Sequence, residues 1–185
     1  CIHSERERTE ADSLLDELDE STQNLGIGVV GRKVVSIRKT SPRFILGKGK
    51  VEQLLSELKE ANADVLIFDN EITPAQQRNW ETESKVLVID RHEIILDVFA
   101  ERAQTREAKL QVKLARLEYS LPRLRRAWTH LSRQRGGGVT QRGEGEAQIE
   151  LDQRMVRDQI SSSRKEIFQV AKQRQTGRSR RQKLP

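Results

Sequence analysis

DVLIFDNEITPAQQRNWETESKVLVID, residues 64–90, decides the fold class of this chain of 185 residues. Its two ends, DVLIFD (64–69) and KVLVID (85–90), are short apolar runs that close on an acid. That pattern belongs to strands buried on both faces of a parallel sheet. Between them, Thr73-Pro74-Ala75-Gln76 starts a helix. Threonine serves as the N-cap, proline fits the first helical position, and Gln76 closes a capping box. The helix is expected to run to about Glu83 and to tuck in Trp80. A strand, a helix and a second strand make one repeat of an α/β layer.

Working upstream, GKGKVEQLLSEL (47–58) reads as another helix, starting near Gly49, with Val51, Leu54, Leu55 and Leu58 on one face. Before it, IGVVGRKVVSI (27–37) has the valine content of a strand, with a bulge expected at Gly31-Arg32, and Ser41-Pro42 forms a turn. Residues 4–24 read as an acidic helix whose apolar stripe is Leu14, Leu15 and Leu18. Three strands alternating with helices imply a small parallel sheet with flanking helices over residues 1–91.

Two features of this half invite a chemical reading. Lysines beside glycines at a helix N-terminus, Gly47-Lys48-Gly49-Lys50, attract anions, so the loop reads either as a phosphate contact or as a turn shaped by glycine. It is not GxxxxGK[S/T], and no such motif occurs in the chain. Asp69, Glu71 and Asp90 fall near the C-terminal strand ends, where ligands of such sheets bind. They read as Mg²⁺ or acid–base carboxylates, or as caps and salt-bridge partners. No histidine, lysine or serine is spaced to complete a catalytic set, so no catalytic residue is assigned.

Downstream the character changes. Phe99, Ala103, Leu110, Leu114, Leu117 and Leu121 recur at three- and four-residue steps, with Arg106 on the same face. Pro122 ends or kinks that helix. Ile149, Val156, Ile160, Ile167 and Val170 repeat the seam, with Gln153 and Ser163 as its polar positions, and Gly177 is placed to stop it. The expected structure over 92–176 is a long antiparallel two-helix coiled-coil arm. Helices of roughly 28 residues would make it about 40 Å long. Residues 177–185 read as a linker.

The arm's turn, 122–146, is PRLRRAWTHLSRQRGGGVTQRGEGE. It carries Arg123, Arg125, Arg126, Arg133, Arg135 and Arg142, the rings of Trp128 and His130, and Gly136, Gly137, Gly138, Gly143 and Gly145, with no acid before Glu144. Arginine forks bind phosphates and glycine lets main chain approach closely; the same composition also describes a solvated loop. Net charge is −6 over residues 1–24, zero over 25–105 and +12 over 106–185, which points to a polyanionic partner for the C-terminal half. The chain is 35% hydrophobic and 34% charged, so a compact core is expected in only part of it.

Other classes are excluded. Cys1 is the sole cysteine, which rules out a disulfide framework and a thiolate metal site. His3, His92 and His130 lack ligand spacing. No apolar run approaches the roughly 18 residues of a membrane span. A cytoplasmic monomer is the expectation, and Cys1 in place of Met suggests a native start further upstream.

These segments resemble, in order, the N-terminal region of the HflX family of ribosome-associated GTPases. The resemblance rests on GKGKVEQL (47–54), FDNEITPAQQRNWE (68–81), VIDRHEIILDVFAERAQTREAKLQVKLARLEYSLPRLRRAW (88–128), HLSRQRGGG (130–138) and RGEGE (142–146). It implies an α/β subdomain, a coiled arm and, beyond this chain, a G domain that binds GTP and Mg²⁺; no cofactor is assigned to this chain. It further implies binding to the large ribosomal subunit and the splitting or rescue of ribosomes under stress. The candidate rRNA contacts it implies are Arg123, Arg125, Arg126, His130, Arg133, Gln134, Arg135, Gly136, Gly137, Gly138, Gln141, Arg142 and Gly143. Three departures stand out. The chain has no phosphate-binding loop, so a stretch of a longer protein is expected, with a paralogue lacking the G domain or a coiled-coil interaction scaffold as alternatives. Glu144 replaces the family's loop proline, and Asp152-Gln153-Arg154 replaces Asp-Arg-Arg.

Overall fold

The computed structural model describes residues 2–3, 8–37, 39–124 and 142–181. The chain divides into two compact units, Cys1–Val98 and Phe99–Pro185.

In the first unit the elements follow in the order β1 (Ile2–His3), α1 (Arg8–Asn24), β2 (Val35–Ser36), α2 (Lys48–Glu60), β3 (Val65–Phe68), α3 (Pro74–Ser84), β4 (Leu87–Asp90) and α4 (Arg91–Arg102), the last running across the division. β3 and β4 pair in parallel, Val65 opposite Leu87 through Phe68 opposite Asp90. The capping box forms as its sequence dictates: the Thr73 hydroxyl accepts from Gln76 N at 3.2 Å, and the Gln76 side chain accepts from Thr73 N at 3.0 Å. Lys85, in the left-handed region at φ 63°, ends α3 and turns the chain into β4.

Side chains alternate across this ladder as a pleat requires. Phe68 and Val88 pack with Trp80, Ile72, Leu46 and Val51 on one face, while Val65, Ile67 and Ile89 pack with Leu18 and Ile94 on the other. Trp80 is fully buried. Its ring meets Phe44 nearly edge-on at 5.4 Å and Phe68 at 5.3 Å, and its indole N–H donates to the Phe44 carbonyl at 3.0 Å. Two buried polar residues of α3 close the outer edge of β4. The Gln77 amide donates to the Val88 carbonyl at 2.5 Å, and Glu81 accepts from Val88 N at 3.2 Å.

The expected three-stranded sheet does not form. Of residues 27–37 only Val35–Ser36 is strand, and it pairs in parallel with Ile2–His3 instead of joining β3. Val29 and Val30 are exposed, so their β preference has no packed surface to act on. The small parallel sheet is therefore two separate two-stranded ladders flanked by helices.

The second unit holds α5 (Arg106–Ser120), a 3₁₀ turn (Leu121–Arg123) that contains Pro122, and α6 (Arg142–Arg181). The helix expected to run unbroken from 92 to 121 is interrupted at 103–105. There Thr105 takes extended backbone, φ −79° and ψ 151°, and its hydroxyl accepts from Ala108 N, so a side-chain cap competes with helix continuation. α6 takes in residues 142–146, the end of the expected loop, and continues through Gly177 to Arg181. A glycine stops a helix only when it takes a left-handed turn; arginine and glutamine neighbours favour carrying on. Residues 177–181 thus continue this helix.

Phe99, expected in the seam, is exposed; from Leu110 onward the seam is where the periodicity places it. Leu110, Leu114, Leu117 and Leu121 are half-buried, as are Ile149, Val156, Ile167 and Val170; Ile160 and Ser163 are buried. Glu118 pairs with Arg164 at 2.6 Å and Glu107 with Arg174 at 2.8 Å. Position rises along α5 as it falls along α6, so the two helices pack antiparallel.

Candidate nucleic-acid interface

Of the candidate contacts, Arg123 is the one whose side chain the structure describes. It ends the 3₁₀ turn, half-buried. Its guanidinium carbon sits 3.7 Å from the centre of the Tyr119 ring, and it donates to the Tyr119 carbonyl at 3.2 Å. This arginine is held against its own helix, four residues from Tyr119, the spacing at which helical side chains meet. Arg142 and Gly143 are the first two residues of α6. Arg125, Arg126, His130, Arg133, Gln134, Arg135, Gly136, Gly137, Gly138 and Gln141 lie outside the described residues.

Exposed cations continue along both helices of this unit. Lys109 and Lys113 stand on α5; Arg154, Arg157, Lys165, Lys172 and Arg178 stand on α6. With Arg164 and Arg174 bound to carboxylates, they set a positive surface interrupted by two cross-helix ion pairs. Reading for periodicity alone passes over those pairs. Their signal is a charge beside the seam on each helix, of opposite sign, at matching distances from the turn.

Of the other candidate carboxylates, Asp69 and Asp90 resolve into structure and Glu71 is exposed. Asp69 is buried and pairs with Arg91 at 2.6 Å, and Arg91 also holds Glu17 of α1 at 2.7 Å. The Glu17 hydrogen bond, against the opposing effect of burial, raises the Arg91 pKa above its ordinary value. Asp90, fully buried, accepts from Glu93 N at 3.2 Å, capping α4, and from Ile72 N at 3.4 Å. Carboxylates committed in this way hold elements together. In the GKGK loop, residues 47–50 are exposed, Gly47 supplies no side-chain cap, and Lys50 donates to the Ser36 carbonyl. Nearby, the Lys33 hydrogen bond at 2.5 Å holds Glu57 below the usual carboxylate range. Among the described residues no three His, Cys, Asp or Glu side chains are grouped to hold a metal ion, and no helix is long and apolar enough to cross a membrane.

Comparison with known proteins covers nearly the whole chain. A family model described as GTP-binding GTPase N-terminal matches residues 12–100, and one described as GTP-binding GTPase Middle Region matches 102–181. The GTPase HflX of Akkermansia muciniphila is 45% identical over 96% of this chain and 42% of its own length. The GTPase HflX of Escherichia coli is 40% identical over 90% of this chain and 39% of its own length. The chain thus spans about two fifths of the relatives it matches. Among solved structures, SsGBP with GDP covers 95% of this chain and 44% of that one at 21% identity, with a TM-score of 0.60. A GTP-binding protein from the archaeon Sulfolobus solfataricus, in complex with GDP, covers 92% and 44% at 22% identity, with a TM-score of 0.52. At that identity the two structures speak for the fold alone.

Proposed function

The chain belongs to the HflX GTPase family, whose N-terminal part it matches, and from that premise we propose that it is the ribosome-docking region of a GTPase that splits or rescues ribosomes. In this reading α5 and α6 form the stiff part of a coiled-coil arm, and residues 122–146 form its basic tip, which meets the rRNA of the large subunit. GTP and Mg²⁺ are held by a G domain of the full-length protein. The observation that carries the reading is the family match joined to a charge of +12 over residues 106–185. A polyanion is the partner such a surface attracts, and glycines 136–138 let main chain approach its backbone.

The test is binding of the full-length protein to isolated large subunits at several salt concentrations. Each phosphate contact releases counterions, so affinity should fall steeply as salt rises. Changing Arg133, Arg135 and Arg142 together to Ala is expected to weaken binding and to flatten the log–log salt slope by roughly 0.7 to 0.9 for each phosphate no longer neutralised. Unchanged affinity and slope would remove the tip from the interface.

A further inference from the structure

We propose that the exposed face of α6 centred on Phe168 is a second RNA contact, separate from residues 122–146: a platform on which an unpaired base stacks while Lys165 and Lys172 hold the phosphates on either side of it. Phe168 is 71% exposed, as open to solvent as any large apolar side chain described.

The helix explains that exposure. The seam of α6 passes through Ile160, Ser163, Ile167 and Val170. Phe168 follows Ile167, so it stands about 100° around the helix from it. Its ring is off the seam and adds nothing to the packing on α5.

The surroundings of the ring are cationic. Its neighbours three and four positions away are Arg164, Lys165, Ala171 and Lys172. Arg164 is engaged by Glu118 at 2.6 Å. Lys165 and Lys172 are exposed and pair with no carboxylate among the described residues. The positions three and four residues from either lysine hold serine, phenylalanine, glutamine and threonine, so no acid of α6 is within helical reach. Ser161 and Gln175, one step further along the same side in each direction, are also uncharged.

That arrangement selects the ligand. A protein partner seats an aromatic anchor within a wider apolar patch, from which lysine is depleted. Here the one apolar neighbour is Ala171. A single nucleic-acid strand matches the face better. Its base offers a flat π surface to the ring, and its backbone offers anions to the flanking cations. The two lysines are seven residues apart, about 10 Å along the axis, and their flexible stems let the ammonium groups close on neighbouring phosphates. Duplex RNA keeps its bases stacked inside and would meet the lysines alone. The inference rests on reading the second unit as RNA-binding, but it uses none of the tip's residues.

The test uses the full-length protein and two probes of roughly a dozen nucleotides, single-stranded oligoadenylate and an RNA duplex of the same length. Phe168→Ala is expected to weaken oligoadenylate binding on the order of tenfold and to leave duplex binding alone. The salt slope should not change, because the ring carries no charge. Phe168→Trp should bind the strand at least as tightly as the native protein. Lys165→Ala combined with Lys172→Ala should flatten the slope by roughly 0.7 for each phosphate released. Equal affinity of the native protein and Phe168→Ala for oligoadenylate overturns the proposal, as does equal weakening on strand and duplex. A lowered unfolding midpoint of α5 and α6 in Phe168→Ala, with RNA binding intact, overturns it too, since the ring would then be covered by protein. The two RNA readings fail separately. A tenfold loss at Phe168 alongside subunit binding that ignores Arg133, Arg135 and Arg142 keeps the platform and removes the tip. Subunit binding that needs those arginines, with oligoadenylate indifferent to Phe168, does the reverse.

Discussion

In residues 1–98 the buried apolar side chains close around Trp80 and, on the other sheet face, around Leu18, Ile89 and Ile94. In residues 99–185 Ile160 alone is buried to that degree among the described residues, and the rest of the seam is half-buried. The first unit is held by depth; the second is held by length, with many partial contacts and ion pairs at its margins. A two-helix packing offers each side chain one neighbouring helix, so most described positions there stay partly open to solvent, Ile160 and Ser163 excepted. The same exposure leaves its cations in solvent, where a polyanion can reach them.

Substitutions should separate the two kinds of stabilisation. The largest effect is expected at Trp80, where Trp80→Ala removes a ring packed on Phe44 and Phe68 and should cost about 3–5 kcal/mol. Chemical denaturation followed by amide signals of each unit would check it: β3 and β4 should melt early while α5 and α6 keep their midpoint. Early melting of both would show that the units fold as one. Ile160→Ala should cost less, about 2 kcal/mol, because the exposed seam lets solvent relieve the cavity, and the loss should appear at α5 and α6. The smallest effect belongs to the Glu118–Arg164 pair, 44% and 65% exposed. A double-mutant cycle should return less than about 1 kcal/mol, falling further with salt. A coupling well above that would make the ion pairs, and not the seam, the main hold on the second unit.

Legibility follows local chemistry. The β3–α3–β4 unit is readable to within two residues because each signal in 64–90 is self-contained: two buried-strand runs, a capping box, a buried tryptophan. The seam positions from Leu110 onward are equally readable, since periodicity reports the buried face whatever lies opposite, whereas Phe99, in step with them, is exposed. Residues 27–37 mislead because valine content reports a tendency to extend, and extension becomes a strand only where a neighbour pairs. The break at 103–105 escapes because Ala103 keeps the seam in step across it while Thr105 caps the next helix. Gly177 misleads in the opposite sense, as a glycine that carries no turn. For the proposed interface, composition identifies the basic segment, but it does not single out individual arginines within it.

The most direct measurement of the central claim is hydrogen exchange along the full-length protein, free and bound to large ribosomal subunits. Docking through the arm's end predicts slowed exchange concentrated in residues 123–146, fading along α5 and α6 away from the turn. Protection confined to residues 1–98, with 123–146 exchanging as in the free protein, would contradict it.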